Sequence, residues 1–186
     1  MAMAACRKSP QPDAVANPAE KAAPVAVSQP PAAPASLPDA CTILTSAEIE
    51  GALGEPIKET KLSSVPSPEL TISQCYYRLP TEVNSVSLVV YGQGEKGRSP
   101  REVWKQTFGR DHEDDGDQEE KKTPPKKIDG VGDECFWTGN AIGGALYVLR
   151  GNAYLRISVG GAGDQDVKIK KSRALAELAL AHLPTR

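Results

Sequence analysis

Apolar residues along this chain follow two periods. Ile49 and Leu53 recur at i,i+4, Trp104 and Phe108 do the same, and Ala174, Leu175, Leu178, Ala179 and His182 repeat at helical spacing near the C-terminal end. Each stretch carries its own start and stop signals. Thr45 with Glu48 three residues on forms a capping box, Leu44 and Ile49 can staple across it, and Gly54 followed by Pro56 stops the helix. Ser99 with Glu102 repeats the box, Pro100 occupies the first turn where a missing N–H costs nothing, and Gly109 closes it. The spacing predicts a third helix from Asp164 or Asp166 to Leu183, with Pro184 just beyond.

Between these helices the period changes to two. Strands are predicted over 73–79, 85–91, 134–138, 146–150 and 154–159, with a fainter sixth over 56–62. Gly151-Asn152 is a two-residue turn of the kind that matches strand twist. It sets Val148 opposite Leu155 and Leu146 opposite Ile157 on an apolar face, and Tyr147 opposite Arg156 and Leu149 opposite Tyr154 on the reverse. Strands joined by short turns, with few helices among them, predict an α+β fold: an antiparallel sheet of five to six strands with about three helices packed on it. Cys75-Tyr76-Tyr77 and Cys135-Phe136-Trp137 also suggest a faint internal duplication.

The first 38 residues read differently. Eight prolines and many alanines, without one aromatic residue, cannot bury enough apolar surface to offset the entropy of ordering. Residues 7–38 are therefore read as an extended tether, and 39–186 as a single domain. Ahead of the tether, Met3-Ala4-Ala5-Cys6 resembles a lipobox, in which small residues precede a cysteine that becomes acylated. Residues 1–6 are read as the remnant of a lipoprotein signal. No run of about 18 apolar residues exists, so no spanning helix is expected. With 22 basic against 24 acidic side chains and a net charge of −2, no surplus of cations is available for nucleic acid.

Cys41, Cys75 and Cys135 remain to be assigned. They form no C-x-x-C motif, and neither His112 nor His182 stands at ligand spacing from a cysteine, so no structural zinc site and no other cofactor is expected. In an oxidising compartment one disulfide is expected, with Cys41–Cys75 the first choice and Cys75–Cys135 the rival. Buried reduced thiols in a soluble cytosolic protein are the alternative.

Catalytic patterns are sparse. The acidic run 111–120 partly mimics a calcium loop, but Lys122 stands at the twelfth place and Pro124-Pro125 forbid the exiting helix, which excludes an EF-hand. Gly160-Gly161-Ala162-Gly163 lacks the spacing of a phosphate loop and reads as a strand-to-helix turn. Lys168, Lys170, Lys171 and Arg173 read as a solvated helix face, and Trp104 as core. A hydrolase using His112 or His182 is the weakest reading, because no nucleophile motif surrounds either residue. The better candidate is the sheet face opposite the apolar one, where Tyr76, Arg78, Tyr91, Tyr147, Tyr154 and Arg156 can converge; tyrosine and arginine give binding energy on partly exposed surfaces.

Cys41-Thr42-Ile43-Leu44-Thr45-Ser46-Ala47-Glu48-Ile49, Ala52-Leu53-Gly54, Cys75-Tyr76-Tyr77, Gly130-Val131-Gly132-Asp133 and the closing Ala/Leu helix together resemble small bacterial envelope lipoproteins of unknown function, of the actinobacterial type. The resemblance covers about Asp39 to Leu183. It implies a PsbP-like α/β sandwich, a Cys41–Cys75 bridge, no catalytic residues to carry over, and attachment to a lipid bilayer through an acylated Cys6. Cys135 departs from the family pattern. The expectation is a non-enzymatic, monomeric binding or assembly module in the bacterial cell envelope, facing the periplasm or exterior and meeting an envelope protein or a small ligand.

Overall fold

The computed structural model describes residues 37–65, 70–109, 124–140 and 142–183. Cys6, the tether up to residue 36, the acidic run 111–120 and His112 lie outside them. The described residues form an α+β body with a seven-stranded antiparallel sheet and three α-helices. In chain order these are α1 (Ser46–Leu53), β1 (Glu59–Val65), β2 (Leu70–Arg78), β3 (Ser85–Gln93), α2 (Pro100–Phe108), β4 (Lys126–Lys127), β5 (Glu134–Gly139), β6 (Gly144–Arg150), β7 (Ala153–Val159) and α3 (Gln165–His182).

The sheet order is β1-β2-β3-β7-β6-β5-β4, two meanders that meet along β3 and β7. Two strands depart from the expected five to six. β4 is a two-residue edge strand of lysines, with no apolar alternation to announce it. β1 begins three residues later than the faint strand over 56–62, and every one of its residues is exposed, so no buried face fixed its register in the sequence. Cys75 lies on the middle strand of the first meander and Cys135 on the first long strand of the second, so the two Cys–aromatic–aromatic runs are not equivalent.

The local signals place the helices. Thr45 Oγ1 accepts from Glu48 N while Glu48 Oε2 accepts from Thr45 N, and Gly54 ends α1 at φ 83°, a left-handed conformation that suits glycine. Ser99 and Glu102 repeat the reciprocal bonds at α2, and the Asp164 side chain caps α3. The β6–β7 hairpin turns at Gly151-Asn152 with the expected partners, Leu146–Ile157, Tyr147–Arg156, Val148–Leu155 and Leu149–Tyr154.

Period two sorts the strands onto two faces. Cys75, Tyr77, Val86, Leu88, Val90, Cys135, Trp137, Leu146, Val148, Leu155 and Ile157 point inward, against α1 and α3, and make the main core. Leu37 packs on this core as well, so the packed body starts two residues before Asp39. The buried stripe of α3 is Ile169, Ser172, Leu175, Ala176, Ala179 and Leu180. His182, expected among the apolar repeats, is exposed and meets Glu48 instead. Lys168, expected on a solvated face, is only 4% exposed. Its long apolar stem is buried while its Nζ reaches the β5–β6 turn and donates to the Ile142 carbonyl across 2.7 Å.

Cys41 and Cys75 stand at disulfide distance, with Sγ–Sγ 1.97 Å, and join the 3-10 turn Ala40–Thr42 to β2. Cys135 is free and buried, and burial pushes its thiol up to about 12.

Candidate functional site

Three neighbouring cross-strand rows make up the middle of the outer face of the sheet, away from α1 and α3, with Glu59, Arg78 and Ser85 in a further row beside them. One runs Lys61, Tyr76, Ser87, Ser158. The next runs Ser63, Gln74, Val89, Arg156, Tyr147, Phe136. The third runs Val65, Ile72, Tyr91, Tyr154, Leu149, Glu134.

Helix α2 covers one half of this face. Its apolar side chains Val103, Trp104 and Phe108 pack with Tyr91, Tyr154, Tyr147, Leu149 and Phe136 into a second, aromatic core. Trp104 meets Tyr154 edge-on at 5.2 Å, Phe108 stacks on Phe136 at 5.0 Å, and Tyr91 stacks on Tyr154 at 4.2 Å. Such pairs contribute about 0.5–1.5 kcal/mol each beyond the area they bury. The Trp104 indole N–H donates to Glu134 Oε2 across 2.9 Å, so the only polar atom of the ring is satisfied. Burial raises the phenols of Tyr91 and Tyr154. Trp104 is therefore core, as its spacing from Phe108 implies.

The six residues expected to converge on this face separate into three groups. Tyr154 is 3% exposed beneath α2 and offers no surface to a partner, and Tyr91 stacks against it. Tyr147 and Arg156 come together at the edge of the covered half. Arg156 Nε donates to the Tyr147 hydroxyl across 3.2 Å, with its guanidinium carbon 5.8 Å from the ring centroid. Tyr76 and Arg78 lie farther out on β2. Tyr76 is 41% exposed, and Arg78 pairs loosely with Glu59 at 3.8 Å.

Beyond α2 the face carries a strip of half-buried polar side chains, Gln74, Ser87 and Ser158, around a buried Val89. Gln74 Nε2 donates to Ser87 Oγ across 3.0 Å, and Ser158 Oγ donates to the Gly144 carbonyl across 2.8 Å. Tyr76, Lys61 and Arg156 border the strip, and Arg156 meets no carboxylate among the described residues. A flat array of donors and acceptors around one exposed tyrosine suits a flat partner surface more than an enclosed small molecule. The residues missed in the sequence are Gln74 and Lys61. Their alternation with Cys75 and Leu62 marks the outer face only once the strand bounds are known.

His182 belongs elsewhere. Its Nε2 lies 2.7 Å from Glu48 Oε1 and ties the end of α3 to the start of α1. Among the described residues no three His, Cys, Asp or Glu side chains are grouped to hold a metal ion. No helix among them is long and apolar enough to cross a membrane.

Compared with protein-family models, with curated proteins and with solved structures, the chain matches none.

Proposed function

We propose that this chain is a non-catalytic envelope lipoprotein whose folded body serves as a binding or assembly module. In this reading Cys6 is acylated and inserts into a lipid bilayer. Residues 7–38 act as a Pro/Ala spacer, and the body stands off the membrane as a monomer on the periplasmic or exterior side, with a PsbP-like sandwich as its fold. The observation that carries the binding role is the polar strip around the exposed Tyr76, next to a pre-positioned Arg156–Tyr147 pair. A sheet holds such groups rigidly, so little side-chain entropy is lost when a partner docks. The Cys41–Cys75 pair supports an oxidising compartment over the cytosol.

Two measurements test the reading. The mass of the native N-terminus should correspond to a chain starting at an acylated Cys6, and an unmodified, longer N-terminus would overturn the anchor. In native gels of solubilised envelope, the wild-type chain should migrate in a larger assembly that the Tyr76→Ala/Arg156→Ala double variant leaves. An unchanged pattern for that folded variant would overturn the binding face.

A further inference from the structure

We infer that the cleft at the α3 start of the sheet is a second binding site, for a small carboxylate carrying a short apolar tail. The cleft measures about 200 Å³ and sits between the β2–β3 turn, the end of α1 and the first turns of α3. Its wall is apolar where Leu53, Leu79 and Val159 line it, and its cations are Lys168 and Lys171. This combination, apolar lining with a few convergent polar groups, is what holds and orients a small amphiphile.

Lys168 is the reason to expect an anion. A cation that is 4% exposed is normally matched by a carboxylate, because an unpaired buried charge is costly. The partner of Lys168 among the described residues is one neutral carbonyl, that of Ile142 at 2.7 Å, which leaves two ammonium protons without an acceptor from these residues. Of the neighbouring acids, Glu55 accepts from Thr81 N and from the Asn84 amide and lies close enough to Lys171 for that charge to help lower its carboxyl, while the Asp164 carboxylate caps Val167 N. Asp166 lies 3.5 Å from Lys126. The four-residue glycine-rich turn before α3 contributes Gly160 and Ala162 to the lining, small residues that leave the mouth open. A ligand carboxylate on Lys168 and Lys171, with its tail along Leu53, Leu79 and Val159, would complete both halves of the cleft. This site lies off the outer face of the sheet and does not depend on the binding strip around Tyr76.

The probe is hexanoate, titrated into the isotope-labelled full chain and followed by amide chemical shifts, with 1-hexanol as the uncharged control. Saturable shifts should concentrate at Thr81, Asn84, Gly160 and Lys171, with hexanol at least tenfold weaker. Lys171→Met, and Lys168→Met where it folds, should each weaken hexanoate at least tenfold, while Lys105→Met on α2 leaves it unchanged. The inference is overturned if hexanoate produces no saturable shift at these residues, if hexanol binds as tightly, or if Lys171→Met has no effect.

Discussion

Arg101 and Asp133 lock α2 to the far side of the sheet. Arg101 Nη2 donates to Asp133 Oδ2 across 2.7 Å, while Arg101 Nε donates to the Gly151 carbonyl and Asp133 Oδ2 accepts from Gly151 N. One carboxylate therefore fixes a helix start, a hairpin turn and its own loop. Gly132, at φ 62° and with the Leu149 carbonyl 2.5 Å from where a Cβ would sit, lets that loop approach β6. The Gly130-Val131-Gly132-Asp133 motif thus has a structural use.

Removing the Asp133 carboxylate should cost more than removing the arginine. Both side chains are nearly half exposed, so the ion pair alone is worth less than about 1 kcal/mol. Asp133→Ala also strips the acceptor from the Gly151 N–H, for a total of about 1–2 kcal/mol. Arg101→Ala should cost less than about 1 kcal/mol. Urea unfolding of the two variants checks the order, and equal losses would contradict it.

Trp104 holds α2 over the outer face, so its truncation should do two things. Trp104→Ala should destabilise the body by about 3–5 kcal/mol, and it should unmask Tyr154, whose proton is now held by burial. Ultraviolet titration should then show Tyr154 ionising at lower pH than in the wild type, in whatever fraction of the variant remains folded.

How much of this was legible follows from where the specifying physics is local. Thr45–Glu48, Ser99–Glu102 and Gly151-Asn152 act within four residues, and they predicted caps and hairpin register that the structure reproduces. Lys126–Lys127 carry no alternation to declare a strand, and β1, exposed throughout, gave only the faint signal over 56–62, three residues out of place. The Trp104–Phe108 stripe announces a helix that needs an apolar partner, but not which side of the sheet it takes. That choice separates Tyr154, covered, from Tyr76, open, and it is a tertiary fact. Lys168 misled for the same reason: its stem packs as a hydrophobe while its charge suggests solvent.

The disulfide should be a major source of stability. Closing a loop between residues 34 apart stabilises by about 3–4 kcal/mol in the chain-entropy account. Reduction, or Cys41→Ser with Cys75→Ala, should lower the urea midpoint accordingly. Cys135, buried and with its thiol raised to about 12, should ignore thiol reagents until the body unfolds. Labelling at the rate of the native state would contradict that.

Acid should loosen the junction of α1 and α3. The bond from His182, then that from Thr45 N, hold the Glu48 carboxyl down at about 2, against an ordinary 4.5. A carboxyl lowered by folding stabilises above its unfolded value, and the contribution disappears as pH falls from about 4.5 towards 2. Because the pair is partly exposed, the loss is about 1 kcal/mol at most. Glu55 and Glu102 are also lowered and add to the slope, so the informative quantity is the difference between wild type and Glu48→Gln. That difference should shrink as pH falls through this window; a constant difference would contradict the assignment.

The most direct test of the binding role is site-specific photocrosslinking in the native envelope. A benzophenone side chain at position 76 should give a discrete adduct, abolished by Arg156→Ala, while the same probe at Arg173 on α3 should give none. No adduct at position 76, or equal adducts from both faces, would contradict the account.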